Sequence, residues 1–200
     1  MAAARGERKG KKLGRRFFVR DAEVVARELI GKVMVHRLAD GRELRARIVE
    51  TEAYVGPHDL ACHAAKGRTK RTEIMFGEGG HAYVYFIYGM HEMFNVVTGK
   101  EGDAQAVLVR AAEGVSGFEG FSEKVNLTGP GRFAKGMGIV RGDYGVDLTG
   151  EKMFFVDDGW KGRVRRGVRV GVDYSGVWKE ELLRFWDAGS GAVSKPVPRE

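Results

Sequence analysis

The chain has 200 residues, of which 43% are hydrophobic and 30% are charged, a balance typical of one soluble globular domain. No apolar run approaches the ~18 residues of a membrane span, and the basic N-terminus lacks the apolar segment of a secretory signal. A single cysteine, Cys62, excludes an intramolecular disulfide and indicates a reducing compartment. We therefore expect no membrane contact, no secretion, and a location in the cytoplasm or nucleoid, or in the nucleus of a eukaryote.

The net charge of +7 is concentrated at the N-terminus. Residues 1–16 hold seven basic residues and one acidic residue, a net +6, which leaves only +1 for the other 184 residues. A block of like charge with few apolar residues predicts a disordered tail over 1–16, followed by a single domain over 17–200. The tail could bind phosphate groups, act as a localisation signal or only increase solubility. The high isoelectric point alone therefore does not show that the folded domain binds nucleic acid.

The first predicted elements are a helix and two strands. Apolar side chains recur at helical spacing over 22–30, which predicts an amphipathic helix that Asp21 caps and Gly31 ends. Two strand-like runs, Lys32–Leu38 and Glu43–Tyr54, follow on either side of a short turn and predict a hairpin.

Further along the chain, residues 56–80 hold few apolar side chains and many glycines and charges, which predicts a long loop. A short helix is expected to begin at Pro130. The remaining strand-like runs are His81–Tyr88, Met93–Thr98, Ala106–Ala111, Lys152–Val156 and Val164–Val172. Strands outnumber helices and no βαβ alternation is present. The predicted fold class is therefore α+β, a single compact domain with a curved antiparallel β-sheet and surrounding short helices.

The second predicted strand carries two carboxylates close together. Side chains alternate along a strand, so Glu50, Glu52 and Tyr54 are expected on one face, together with Ile48. Two glutamates buried there without partners would repel each other. The pattern is compatible with a solvent-facing edge that has an arginine neighbour, and also with a general base or cation stabiliser, as in glycosyl transfer. Spacing alone does not decide between these two interpretations.

An aromatic strand provides the second candidate. Tyr83 and Tyr85 are expected on one face, while Tyr88 comes just before Gly89 at a turn. Aromatic core packing explains most such residues, but four aromatics in the six positions 83–88 exceed what one core face needs. An exposed tyrosine beside a tight turn suits base stacking or a wedge between base pairs.

A cluster of histidine and cysteine does not predict a metal site. His58, Cys62 and His63 lie close together in sequence, but no second cluster completes the ligand set that zinc requires. We expect no metal, and we interpret His63 as a polar or stacking residue of a pocket. The adjacent loop holds four basic residues suited either to phosphate contacts or to a solvated surface: Lys66, Arg68, Lys70 and Arg71.

Taken together, stretches spread from Phe17 to Gly176 resemble the alkyladenine (3-methyladenine) DNA glycosylase family. The specific signal is ETEAY at 50–54 followed by YVYFIYGM at 83–90, and RVGVDYSG at 169–176 is a further matching stretch. The resemblance implies a compact mixed α/β fold and a hydrolase without a cofactor. Such an enzyme flips a damaged purine out of double-stranded DNA and cleaves its N-glycosidic bond.

The resemblance also implies catalytic roles. Glu52 would activate the water that attacks the sugar C1′, while Arg110 and the carbonyl of Val170 would hold this water. A carboxylate suits the task because it accepts a proton and offers negative charge to the developing cation. Glu50 is interpreted as structural. No lysine matches a catalytic position, so a monofunctional enzyme without a lyase step is expected.

Base and DNA contacts follow from the same resemblance. Tyr54, His63 and Tyr85 would sandwich the flipped base, and Asn95 would crowd the purine 2-position and so disfavour guanine. The residues expected to contact DNA, with Tyr88 inserted into the gap left by the flipped nucleotide, are Tyr88, Met90, His91, Arg68 and Thr69. This sequence departs from the family pattern in two places, since His91 stands where an aromatic is expected and the loop at 64–75 is shortened.

The sequence thus predicts a monomeric, monofunctional DNA glycosylase for alkylated or deaminated purines in base excision repair. Its substrates would be 3-methyladenine, 7-methylguanine, hypoxanthine and ethenoadenine, and its product an abasic site. One alternative is a non-catalytic nucleic-acid-binding module that uses a tyrosine stacking platform and the basic tail. Another is a carbohydrate O-glycosidase with Glu50 and Glu52 as its acid/base pair, although their Cα atoms would lie only ~7 Å apart.

Overall fold

The computed structural model describes residues 10–87, 89–119, 121 and 125–196. The strands of this part of the chain are β1 (Lys11–Lys12), β2 (Val33–Arg37), β3 (Glu43–Tyr54), β4 (Ala82–Ile87), β5 (His91–Thr98), β6 (Gln105–Ser116), β7 (Met153–Asp157), β8 (Val164–Gly167) and β9 (Arg184–Asp187). The α-helices are α1 (Arg15–Phe18), α2 (Ala22–Leu29) and α3 (Pro130–Gly136). Short 3₁₀ segments occupy His63–Lys66, Glu73–Phe76, Arg141–Asp143 and, with a kink, Asp173–Glu180.

All nine strands of the described residues join one antiparallel sheet. Seven follow the order β1-β7-β2-β3-β6-β5-β4, and β9 and β8 branch from β3. Strand β3 is central, because it pairs with β6 along one side and with β2 and then β9 along the other. Strand β8 extends the sheet beyond β9. The predicted α+β class, with one antiparallel sheet and a few short helices, is therefore confirmed.

The main core lies between one face of the sheet and helices α2 and α3. Val25 and Leu29 of α2 are fully buried there, as is Phe133 of α3, whose ring lies 6.1 Å from that of Phe94 in β5. The opposite face carries a smaller cluster around Tyr83 and the 3₁₀ segments of the long loop. Alternate residues of β4, β5 and β6 therefore pack into two clusters on opposite faces of the sheet. The candidate site lies on the face of the smaller cluster.

Strand β3 changes faces at Val49. Two steps along β3, from Ile48 to Glu50, match a single step along β6, which marks a β-bulge. Ile48 and Ala53 consequently lie in the same core cluster on either side of the bulge. The prediction that Ile48 shares the face of Glu50 is wrong, because the bulge interrupts the strict alternation on which the prediction rests.

Other elements differ from the sequence-based expectations in detail. Of the predicted tail, residues 1–9 lie outside the described residues, whereas Lys11–Lys12 pair with β7 upstream of the predicted start of the domain. The Asp21 side chain makes no capping hydrogen bond, and the Gln105 side chain accepts the first N–H of α2 instead. The strand predicted for 164–172 ends at Gly167, because the chain turns there into the loop that reaches the candidate site.

We predict that Gly31→Ala is far more destabilising than Gly41→Ala. Both glycines have φ of +87°, but a Cβ at Gly31 would clash with the Trp160 ring, whereas a Cβ at Gly41 meets nothing within 4 Å. Left-handed strain alone costs about 1–2 kcal/mol, and overpacking adds about 1–3 kcal/mol. Urea unfolding of the two variants measures the difference, and equal losses of stability would contradict the crowding at Gly31.

Candidate active site

A cavity of about 230 Å³ opens on the face of the sheet opposite α2. It is small for a ligand site, and aromatic rings form much of its wall, which suits one flat ring system. Six of the residues predicted for catalysis or base binding line it: Tyr54, His63, Tyr85, Asn95, Arg110 and Val170. Glu52 is fully buried and bonded to three of these lining residues.

Glu52 is held by donors on both of its oxygens. Its Oε1 accepts the Val170 N–H at 2.8 Å and lies 3.2 Å from Nη1 of Arg110. Its Oε2 accepts the Tyr54 hydroxyl at 3.1 Å. Val170 thus reaches Glu52 through its N–H group, whereas the resemblance implied a role for its carbonyl. The carboxylate is therefore fixed at the cavity wall. Among the described residues, Tyr54 is the single donor to Oε2.

Glu50 lies beside Glu52, also fully buried, and receives four hydrogen bonds. Arg110 and Arg184 each donate from Nε to Glu50 Oε1, at 2.9 and 2.8 Å. The Ser194 backbone N–H donates to Oε2 at 2.6 Å, and its hydroxyl donates to Oε1 at 2.9 Å. The solvent-facing edge considered for the two glutamates is excluded, because both side chains are fully buried. Two buried arginines balance their charges.

Arg110 reaches both carboxylates from a second β-bulge. Glu50 pairs with Ala111 and Thr51 with Val109, so Arg110 is the extra residue on β6. Bulges commonly redirect a side chain next to an active site. Although burial opposes the charged form, the pKa of Arg110 is raised by the neighbouring carboxylates of Glu52 and Glu50, so its guanidinium stays charged.

Tyr54 forms one aromatic wall and is backed by a guanidinium. Arg169 lies with its Cζ 4.8 Å from the centre of the Tyr54 ring. Arg169 is itself fully buried, paired through both terminal nitrogens with Asp59 and bonded to the Ala53 carbonyl at 3.0 Å. Burial, followed by the charge of Glu52, raises the pKa of Tyr54 well above its usual value, so its hydroxyl remains a donor to Glu52.

His63 and Tyr85 form a second aromatic group in the wall. Their ring centres lie 4.6 Å apart in an edge-to-face arrangement, and His63 Nδ1 is 2.8 Å from the Tyr83 hydroxyl. Burial, with a smaller effect of Arg71 and Lys66, lowers the pKa of His63 to about 4. His63 is therefore neutral at physiological pH. Because a guanidinium only donates, Nε2 accepts from Arg71 at 3.4 Å and Nδ1–H donates to Tyr83.

Asn95 is fixed at the cavity by the strand opposite. It pairs with Tyr83 across β4 and β5, and its side-chain amide donates to the Tyr83 carbonyl at 3.1 Å. With only 3% of its surface exposed, the Asn95 side chain has little freedom to rotate away from the cavity. Its position next to the cavity is therefore set by the backbone of β4.

The sequence from residue 16 to residue 191 matches the model of a family described as methylpurine-DNA glycosylase (MPG). The chain belongs to this family. Relatives named "Putative 3-methyladenine DNA glycosylase" match most of the chain, and three of them serve as examples. They come from Myxococcus xanthus (50% identical; 91% of this chain and 93% of the relative), Methanocella arvoryzae (44%; 93% and 97%) and Legionella pneumophila strain Corby (44%; 92% and 99%).

The family resemblance found in the sequence is therefore confirmed, and with it the enzyme class. The chain is a DNA glycosylase, a hydrolase of N-glycosyl bonds that acts in DNA repair and has DNA as its substrate. Among the described residues, no three His, Cys, Asp or Glu side chains come together as a possible metal site. No helix in that part of the chain is both long and apolar enough to cross a bilayer.

The four predicted DNA-contact residues that the structure describes are not gathered in one place. Met90 is 71% exposed at the turn between β4 and β5, and His91 beside it packs on Gly131 of α3. Arg68 stacks on the Phe76 ring, and Thr69 bonds to Thr72 within the long loop, away from the cavity lining. Tyr88, the predicted wedge, lies outside the described residues.

Several site residues are absent from the sequence-based prediction. Tyr174 lines the cavity with 72% of its surface exposed. Arg71, predicted only as a loop residue for phosphate contacts or a solvated surface, lies with its Cζ 4.7 Å from the centre of the Tyr85 ring. Arg169 and Tyr174 fall within RVGVDYSG, which is the signal that could have identified them. Arg184 and Ser194 have no such signal, because their contacts with Glu50 join distant parts of the chain.

We predict that acid destabilises the fold partly through His63. An unfolded histidine titrates near 6.5, but the pKa of His63 in the fold is about 4. Between these values the unfolded chain binds more protons, so the contribution of His63 to stability is lost as pH falls from about 6.5 towards 4. Urea unfolding at pH 7, 6, 5 and 4.5 should show a smaller loss for His63→Gln than for the wild type.

The exposed residue His91 supplies the matched control, since His91→Gln also removes one imidazole. The free energy of unfolding of His91→Gln should decrease on acidification in parallel with that of the wild type. If His63→Gln also follows the wild type, burial of a neutral imidazole at position 63 is contradicted.

Proposed function

We propose that the enzyme is a monofunctional glycosylase that draws an alkylated or deaminated purine into the cavity and hydrolyses its N-glycosidic bond with a water activated by Glu52. The candidate bases are 3-methyladenine, 7-methylguanine, hypoxanthine and ethenoadenine. The proposal depends on one observation, a fully buried carboxylate fixed by Tyr54, Arg110 and Val170 at the wall of an aromatic cavity.

The hydrogen bonds of Glu52 suggest where the water would bind. An ionised carboxylate offers about four acceptor positions. Oε1 accepts the Val170 N–H and forms an ion pair with Arg110, whereas Oε2 accepts only the Tyr54 hydroxyl among the described residues. The remaining position on Oε2 would accept a water proton. In the proposed reaction this water attacks C1′ as the bond to the base breaks, and Glu52 takes its proton and stabilises the cationic sugar. Arg110 and the Val170 carbonyl would hold the same water.

The cavity walls support recognition by stacking. Tyr54 and Tyr85 would present aromatic faces to the purine, and a tyrosine face attracts a cationic alkylated base. A neutral His63 would add no opposing charge. Its Nε2 would exchange the 3.4 Å contact with Arg71 for a hydrogen bond accepted from the purine edge. Asn95, held by the Tyr83 carbonyl, would crowd the 2-position and disfavour guanine.

On the DNA side, we propose that Tyr88 fills the gap left by the extruded nucleotide, with Met90 and His91 beside it. The exposure of Met90 supports such a contact. Arg68 and Thr69 would contact the flanking backbone. We further propose that the enzyme acts as a monomer, without a cofactor, and in the cytoplasm or nucleoid.

We predict that Glu52→Gln abolishes base release without abolishing DNA binding. Removing a general base costs about 10²–10⁴-fold in rate. The measurement is single-turnover release in EDTA from duplexes that carry one hypoxanthine or one ethenoadenine, and from methylated DNA. Glu43→Gln is the matched control, because Glu43 lies on the same strand and pairs with Arg37 and Arg45 rather than with the site.

Tight binding to lesion duplexes by the wild type, with no release of any base, would favour the binding-module alternative over the glycosidic mechanism. Release that Glu52→Gln leaves intact would instead remove Glu52 from the mechanism. Release that needs a divalent metal would contradict the proposed reaction without a cofactor.

We predict that Tyr54→Phe separates the two roles of Tyr54. The variant keeps the aromatic wall but loses the hydrogen bond to Glu52, so excision should slow at least about tenfold, since a hydrogen bond to a charged group contributes ~1.5–3 kcal/mol. Affinity for lesion DNA should stay near that of the wild type, whereas Tyr54→Ala should weaken it. Tyr144→Phe is the control, because the Tyr144 hydroxyl accepts the Ile74 N–H outside the cavity. Wild-type excision by Tyr54→Phe would rule out the orienting hydrogen bond.

A further inference from the structure

The chain after β9 returns to the buried side of the active site. Arg184 of β9 donates from Nη2 to the carbonyls of Ser194 and Pro196, at 3.0 Å each, and so anchors this segment against the sheet. Ser194 is only 1% exposed. The family match ends at residue 191, so Ser194 lies beyond the matched residues.

The Ser194 hydroxyl is a shared partner of the two groups that support Glu52. It donates to Glu50 Oε1 at 2.9 Å and accepts from Arg110 Nη2 at 3.2 Å. Arg110 therefore has three separate acceptors for its three guanidinium nitrogens. Nε is bonded to Glu50, Nη2 to Ser194, and Nη1 faces Glu52. Three contacts around a planar group fix both its position and its rotation.

We propose that Ser194 is a positioning residue for base excision, which acts by holding Arg110 in the plane that directs Nη1 at Glu52. This inference rests on the proposed role of Glu52. Ser194 lies outside the cavity lining and touches the reaction only through Arg110. Without the hydroxyl, Nη2 loses a buried acceptor and Glu50 loses a donor. The guanidinium can then turn away from Glu52, and small misplacements in an active site reduce the rate strongly.

The test uses the full-length chain with Ser194→Ala, Ser194→Thr and a matched control, Ser190→Ala. Ser190 lies four residues upstream, and its hydroxyl bonds to Glu113 rather than to the buried network. For each variant we would measure the single-turnover excision rate on a hypoxanthine duplex and on methylated DNA. The dissociation constant for an uncleaved lesion duplex and the thermal midpoint would be measured in parallel, with rates normalised to active enzyme by stoichiometric titration.

Ser194→Ala is expected to excise about tenfold more slowly, with its dissociation constant within about twofold of the wild-type value. Ser194→Thr, which keeps a hydroxyl, should recover most of the rate, and Ser190→Ala should match the wild type. This split between rate and affinity, together with the rescue, is not expected of a residue that only stabilises the fold.

Three outcomes would overturn the proposal. Ser194→Ala could excise at the rate of Ser190→Ala, or it could lose rate and affinity in equal proportion. It could also fail to fold while Ser194→Thr folds, which would assign the hydroxyl to stability alone. Failure of the proposed function looks different, because either the wild type then releases no base or Glu52→Gln remains active.

Discussion

The arrangement of the active site depends on the burial of two neighbouring carboxylates with two arginines. Moving a carboxylate out of water costs several kcal/mol unless it is paired with a cation and held by further hydrogen bonds. Glu50 meets this condition with Arg110, Arg184 and Ser194, and Glu52 meets it with Arg110, Val170 and Tyr54. These residues come from five parts of the chain: strands β3, β6 and β9, the loop after β8 and the segment after β9. Removing an arginine would leave a buried carboxylate without its counter-charge, and removing a glutamate would leave a buried guanidinium without its acceptor.

Two β-bulges allow one sheet to satisfy both the core and the site. The bulge at Val49 returns β3 to the α2 side after Glu50, so Ala53 packs in the core while Glu52 and Tyr54 face the cavity. The bulge at Arg110 places a long cationic side chain opposite the glutamates. An unbroken β3 would place the glutamates on the face that packs against α2, among the hydrophobic side chains of the main core. The two bulges thus bring the carboxylates of Glu50 and Glu52 and the guanidinium of Arg110 to the same face, where they can be buried as partners.

The sequence predicts local features well, because local features depend on local spacing. The periodicity over 22–30 predicts α2, and alternation with short turns predicts the hairpin of β2 and β3 and the antiparallel sheet. Motif resemblance predicts which residues line the cavity. The bulge at Val49 is not predictable in this way, since it is defined by the pairing of β3 with β6. The contact of Arg184 with Glu50 is likewise not predictable from local spacing, because the two residues lie 134 positions apart in the chain.

The charges around the cavity also show why burial of His63 matters. Arg169 backs the Tyr54 ring and Arg71 backs the Tyr85 ring, so a guanidinium lies against each of these two tyrosines. Asp59 balances Arg169, whereas no carboxylate of the described residues pairs with Arg71. A protonated His63 would place a second uncompensated cation at the cavity wall. Burial lowers its pKa to about 4 and prevents this. In the proposed reaction, the aromatic faces and the carboxylate of Glu52 would then be the groups that favour a positively charged purine.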